Sequence, residues 1–248
     1  MSLESNELIQ LICSKQSLME KQSGIIPMDL VFRMLKSLDY TYNKEFNISI
    51  FTETSFKWFF PASDMGNFPL GVYLKLMEGL KLKIDNEEKR KKHVIENMLF
   101  ISEPNEKNVE FINEVFNCPY KLNLYQGNSL NLNTENVWNI KNFDVVIGSP
   151  PIEIVDTTLE KNIWELFVLK ALNEWVSENK YVVFIHPSTW RKPDHYLWDI
   201  ITNKELLAQV LFLKDEAKIL FNYFDMMDYY VLKNYNIKCS EVLTKIAK

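Results

Sequence analysis

The segment FDVVIGSPP, residues 143–151, constrains this chain more than any other. A continuous run of apolar and β-branched residues that stops at turn formers reads as a strand buried on both faces. Gly-Ser-Pro-Pro then makes a rigid turn with few N–H donors. A strand of this kind needs cover on both sides, which calls for an α/β architecture: a central, mostly parallel sheet with helices on both faces. Ligands of such sheets bind outside the carboxyl ends of the strands, so the residues following Gly148 are where chemistry is to be sought.

The remaining segments repeat that grammar. Apolar positions three and four apart predict helices over Leu8–Met19 and Met28–Leu38, with Pro27 placed to start the second. ISIFTETSFKWFFPA suits a strand that ends at Pro61 before the turn-rich SDMGN. FPLGVYLKLMEGLKLKI is helical in period, and another helix is expected from Glu87 to about Leu99. The strand MLFI follows, then a helix that Asn105 can cap. KLNLYQG reads as a strand, NSLNLNTENVWNI as a polar loop, Leu159–Val176 as a helix and YVVFIHP as a strand. ELLAQVLFL and MMDYYVLKN complete the sheet as a late antiparallel pair. Residues 1–25 form a helical extension and 26–248 one domain.

Composition excludes several classes. Hydrophobic residues make up 47% and aromatics 13%, so the chain folds and is not disordered. A net charge of -5 argues against coating nucleic acid by bulk electrostatics. The densest basic run, KLKIDNEEKRKKH from Lys81 to His93, carries Asp85, Glu87 and Glu88 at helical spacing and reads as a solvated helix face in preference to a phosphate-binding stripe. Cys13, Cys118 and Cys239 lack the spacing of a zinc site or a disulfide framework, so no metal is expected and the thiols read as buried and reduced. No signal peptide or membrane-spanning run is evident; the expectation is a soluble intracellular protein, cytoplasmic or, if viral, in a virion or virus factory. Abundant Asn, Lys and Ile suit an AT-rich genome, viral or parasitic.

At Ser149, Pro150, Pro151 and Ile152 the chain resembles the DNA amino-methyltransferases, in which Asn, Asp or Ser precedes Pro-Pro and an aromatic residue. The resemblance runs from about Ile26 onward and implies a Rossmann-like methyltransferase fold, with S-adenosylmethionine as cofactor and the exocyclic amine of adenine or cytosine as target. In that family the polar side chain and a proline carbonyl accept from the amine, and the aromatic residue stacks on the flipped base. Ile152 offers no flat π-face, a loss on the order of 1–3 kcal/mol.

The resemblance also places the cofactor residues. Pro27 matches the motif covering the methionine end of the cofactor. FPASDMGNF aligns with a loop expected to read acid-Pro-Ala-Cys-Gly-Ser-Gly-Asn-Phe: Pro61, Ala62, Gly66, Asn67 and Phe68 are kept, whereas Phe60 replaces the acid, Ser63 the cysteine, Asp64 the first glycine and Met65 the serine. The lost acid would pair with the cofactor's amino group, and the lost glycine would admit close backbone approach. Asp64 brings a charge that repels the methionine carboxylate. Glu103 keeps the acid expected on the ribose hydroxyls, and Asn128 stands for the acid expected on the adenine amine, where an amide still accepts one bond. A bare strand-to-helix turn remains the plainer reading of Asp64.

His186 reads as a satisfied core histidine. Trp58, Trp164, Trp175, Trp190 and Trp198 read as packing, with Trp190, beside Arg191 and Lys192, the one candidate for nucleic-acid contact. The expected function is a catalytically inactive, methyltransferase-like binding or assembly subunit with no cofactor and with a protein partner. The alternatives are an active S-adenosylmethionine-dependent DNA amino-methyltransferase and a plain nucleic-acid-binding module. No separate target-recognition region is expected after the catalytic part, so DNA reading is expected to fall to a partner.

Overall fold

The computed structural model describes residues 26–152, 162–237 and 245–246, together with Gln10. The helix expected over Leu8–Met19 lies outside the described residues apart from Gln10, as do Cys13 and Cys239. The strands are β1 (Trp58–Phe60), β2 (Leu99–Glu103), β3 (Asn123–Gln126), β4 (Phe143–Gly148), β5 (Val176–Pro187), β6 (Lys204–Phe212), β7 (Met227–Asn236) and β8 (Lys245–Ile246). They form one sheet in the order β3-β2-β1-β4-β5-β7-β6-β8. Strands β1 to β5 pair in parallel, and β7 runs antiparallel between β5 and β6. The expected α/β class, mostly parallel with a late antiparallel pair, is what the chain adopts. The short β8, parallel to β6, is an addition.

Side-chain alternation splits the core into two layers. Trp58, Phe60, Val145, Ile147, Tyr181 and Val183 face one side, where they meet α1 (Met28–Phe46), α2 (Asn67–Gly79), α3 (Glu87–Asn97), α4 (Glu106–Val115) and α8 (Lys214–Phe221). Phe59, Val146, Val182 and Phe184 face the other, against α5 (Thr134–Trp138), α6 (Ile163–Lys170) and α7 (Leu197–Thr202). Each fully buried side chain of this size contributes about 1.5–3 kcal/mol. The chain therefore winds outward through β1, β2 and β3, then returns beside β1 to build β4 and β5.

Several local expectations shift, each for a visible reason. Helix α1 extends past Leu38 to Phe46, because buried Tyr42 continues its apolar stripe and Asn47 ends it in the left-handed conformation, φ 57°. In the segment ISIFTETSFKWFFPA only Trp58–Phe60 is strand. The Asp39 carboxylate accepts from the Ser49 hydroxyl (2.6 Å) and the Ile50 N–H (3.0 Å), curling Ile50–Thr52 into a 3-10 turn. The loop expected after β3 contains a 3-10 turn and α5, because Asn128 and Asn133 cap them. The helix expected over Leu159–Val176 is α6 followed by a π-turn at Ala171–Trp175, and β5 starts early, at Val176. Within the basic run of Lys81 to His93 the lysines are exposed or partly so, but Arg90 is buried and donates to the carbonyls of Ile84 (2.7 Å) and Asp85 (3.1 Å).

The seam between β5 and β7 carries buried polar groups. His186 is fully enclosed: its Nδ1 lies 2.9 Å from the Pro187 carbonyl and its Nε2 3.0 Å from the Tyr230 hydroxyl. A carbonyl only accepts, so Nδ1 holds the proton and Nε2 accepts from Tyr230. The ring stacks on Trp164, centroids 4.5 Å apart. Desolvation lowers its pKa to about 3, and the imidazole is neutral. Across the seam, buried Asp228 accepts from Trp190 Nε1 (3.1 Å) and from Arg191. Burial raises the Asp228 carboxyl to about 6 against the pull of Arg191.

Two predictions follow from this packing. A Cβ at Gly79 would stand 2.5 Å from the Phe51 carbonyl oxygen, a backbone atom that cannot yield cheaply. Gly79→Ala is expected to cost about 1–3 kcal/mol in urea titration, with an unchanged denaturant slope. For His186, the unfolded chain takes up a proton below about 6.5 that the folded protein refuses down to about 3, so its contribution to stability is lost as pH falls through that window. The stability advantage of wild type over His186→Phe should therefore shrink between pH 7 and pH 4.5. A gap that stays constant or widens would contradict a neutral imidazole.

Candidate functional site

Strand β1 pairs with β2 on one side and β4 on the other, so the winding direction reverses between β1 and β4. The connections from the carboxyl ends diverge there and leave a crevice. A cavity of about 570 Å³ occupies it, within the size range of small-molecule sites. The turns after β1, β3 and β4 contribute Pro61, Ala62 and Asp64, then Asn128 and Ser129, then Ser149, Pro150, Pro151 and Ile152. Glu103 at the tip of β2 lines it too, with Asn105 and Asn108 beyond. Ile163 and Phe167 of α6, on one face of the sheet, and Phe221, Asn222 and Tyr223 at the end of α8, on the other, complete the lining.

Glu103 organises the near wall. Its Oε2 accepts from the Asp64 N–H at 2.8 Å, and its Oε1 accepts from the Asn105 N–H at 3.0 Å and from Asn108 Nδ2 at 3.2 Å. Asn108 Nδ2 also donates to Asp64 Oδ1 at 3.2 Å, so a single amide bridges two carboxylates. Asp64 sits in the left-handed conformation, φ 47°, which turns its N–H toward Glu103. Asn105 caps α4 through Oδ1, as the sequence suggested, and so fixes Asn108 on the first turn. Burial raises the pKa of both carboxyls, and the Asp64 charge adds to the rise at Glu103, while their hydrogen bonds oppose it.

Two serine hydroxyls join the turns after β1 and β3 to the end of β2. Ser129 donates to the Pro61 carbonyl and lies 2.7 Å from the Ser102 hydroxyl, which bonds the Gly127 carbonyl at 3.1 Å. Asn128, next in line, uses its side-chain oxygen to cap Leu130 N–H at 2.9 Å and retains a second lone pair.

Of the residues singled out by sequence, Pro61, Ala62, Glu103, Asn128, Ser149, Pro150, Pro151 and Ile152 meet in this one cavity. Pro27, Gly66 and Asn67 do not line it. Pro27 caps α1 through its carbonyl, which takes the N–H groups of Leu30 (3.0 Å) and Val31 (3.1 Å). Gly66, φ 85°, caps α2, and buried Asn67 holds the Ile26 carbonyl at 2.7 Å. Phe60 belongs to the sheet core with no exposure. His186 lies in the β5–β7 seam, outside the cavity, as expected of a core histidine. Trp190 is 1% exposed with its N–H on Asp228, so it offers no face to nucleic acid.

Sequence reading missed Asn108 and the aromatic residues of the lining. The only signal for Asn108 was its place three residues after a capping Asn105. Phe167, Phe221 and Tyr223 gave none, because they look like ordinary helix and turn residues. Among the described residues no cluster of His, Cys, Asp or Glu is arranged to hold a metal, and no helix is long and apolar enough to cross a membrane.

No protein family and no curated protein matches the sequence. Solved structures do match. A protein from Listeria monocytogenes assigned to the class I S-adenosylmethionine-dependent methyltransferases aligns with a TM-score of 0.66 and 14% identity, over 99% of this chain and 74% of that one. DrdV in complex with DNA aligns at 0.68 and 14%, over 90% of this chain and 27% of that one. The M protein of the type I restriction enzyme EcoKI aligns at 0.60 and 10%, over 86% and 44%. Identity this low speaks to architecture alone: the chain has the Rossmann-like methyltransferase fold.

Proposed function

We propose that this protein is a methyltransferase-fold subunit that does not transfer methyl groups and has kept its sheet and cleft for binding and assembly. The observation that carries the reading is the closure of the near wall on itself. Glu103, the one acid positioned for ribose hydroxyls, is committed to three N–H groups of its own chain. The position expected to hold the acid for the cofactor's ammonium is Phe60, sealed in the core. Asp64 sets a negative charge in the cavity where a carboxylate-bearing ligand would need none. Ile152 supplies no stacking surface after Ser149-Pro150-Pro151. The residues present therefore do not fit S-adenosylmethionine. By analogy with DrdV on DNA and with the EcoKI M protein, the partner is a protein of a restriction-modification-like assembly, with nucleic acid contacted through it.

One observation favours an active S-adenosylmethionine-dependent amino-methyltransferase instead: the kept motif residues, from Pro61 and Ala62 to Ser149 and Pro150, converge on one cavity. In that reading Ser149 and the Pro150 carbonyl accept from the target amine, and Glu103 and Asn128 hold the nucleoside. Calorimetry with S-adenosylmethionine, together with transfer of its labelled methyl group to DNA, decides between the two. The proposal expects neither heat nor label. Micromolar binding accompanied by labelled DNA would replace it with the active enzyme.

A further inference from the structure

We infer that Asp64 and Glu103 work as a proton-operated clasp: one proton held on the two carboxyl groups keeps the turn after β1 fastened to the tip of β2, and its loss as pH rises loosens the fastening. The clasp decides when the near wall is closed, and it operates whether or not the protein transfers methyl groups.

The fold forces two acids together. Asp64 Oδ1 and Glu103 Oε1 each lie 3.2 Å from the same nitrogen, Asn108 Nδ2, so the two oxygens are at most twice that distance apart. A second tie runs from the Asp64 N–H to Glu103 Oε2 at 2.8 Å and holds the backbone of one acid on the side chain of the other. Every donor in this set is a neutral amide, which satisfies a lone pair but cancels no charge. In a wall partly withdrawn from water, the second carboxylate charge must form against the first. One proton on the pair removes that repulsion, leaves the amide donors in place and still leaves one negative charge on the wall.

No neighbouring cation relieves the pair among the described lining residues. The turns after β3 and β4 present the neutral side chains of Asn128, Ser129 and Ser149, and α6 presents Ile163 and Phe167. The end of α8 presents Tyr223, whose hydroxyl burial pushes further up, so it stays neutral while carboxyls titrate. On the first turn of α4, Glu106 and Lys107 are exposed, where solvent screens them and their charges oppose each other. Burial, with the Asp64 charge acting on Glu103, accordingly holds both carboxyls above their usual range against the pull of their hydrogen bonds.

Asp64 is also the hinge. Its φ of 47° is a conformation that Gly, Asn and Asp adopt most readily, and its N–H bond to Glu103 is what aims the turn. The closed wall binds the proton more tightly than an open or unfolded chain does. Closure is therefore complete below the ordinary carboxylate range and weakens as pH rises through the raised one.

Urea unfolding of the full chain from pH 4.5 to pH 8.5 tests this in wild type, Asp64→Asn and Asp64→Gly, two substitutions that suit the left-handed backbone. The ratio of each variant's folding constant to that of wild type is expected to rise at least about threefold across the range, because one unit of pKa displacement is a factor of about ten in the constant. Distant groups, the His186 seam included, cancel in the ratio. Hydrogen exchange reads the clasp itself through the Asn105 amide, which donates to Glu103 at 3.0 Å. Its protection factor is expected to fall at least about threefold in wild type over the same range, and by less in Asp64→Asn. A ratio that stays level or falls in both variants, or an Asn105 protection factor as pH-dependent in Asp64→Asn as in wild type, overturns the clasp. Neither measurement uses a methyl donor or DNA, so the labelling assay decides the question of transfer separately.

Discussion

Burial on both faces of the sheet is the constraint from which the rest of the structure follows. Phe59 and Phe60 are neighbours in β1, yet they belong to opposite core layers, and the same alternation runs through Val145, Val146 and Ile147 in β4. A parallel sheet covered in this way has no solvated face, so its connecting helices must lie on both sides. Where the chain turns from one direction of winding to the other, the two sets of connections cannot meet, and a crevice opens above β1 and β4. The cavity is thus a product of topology before it is a product of any particular side chain.

What the cleft can hold depends on a second layer of interactions. Glu103, Asp64 and Asn108 form a set in which donors and acceptors match one another, and beside it Ser129 and Ser102 link the turns after β1 and β3 to the end of β2. Such a network rigidifies the rim and spends hydrogen-bonding capacity that an external ligand would otherwise use. The chain has the methyltransferase architecture, and in the reading proposed above the chemistry at its strand tips serves self-support in place of ligand binding. Fold and activity are separable in this sense because a fold is held by its core and an activity by a handful of groups at its edge.

Much of the fold was legible along the chain. FDVVIGSPP announced β4 and the turn that follows, Asn105 announced the start of α4, and the late apolar runs announced the antiparallel strands. Local sequence misled where a distant partner intervened: Asp39 bends Ile50–Thr52 out of an otherwise strand-like segment. The cleft was legible in half. Motif order pointed to Pro61, Glu103, Asn128 and Ser149, but Asn108, Tyr223 and the burial of Trp190 depend on contacts between segments far apart in sequence.

The sequence by itself determined the covered parallel sheet, because hydrophobic period and turn residues are local properties that any window of the chain displays. It also determined what two positions cannot supply, since Phe60 offers no charge and Ile152 no ring in any conformation. Only the tertiary structure decided that Glu103 is already occupied and that Asp64 faces the cavity, because the two residues stand 39 positions apart and their hydrogen bond exists only once the turns after β1 and β2 are brought together.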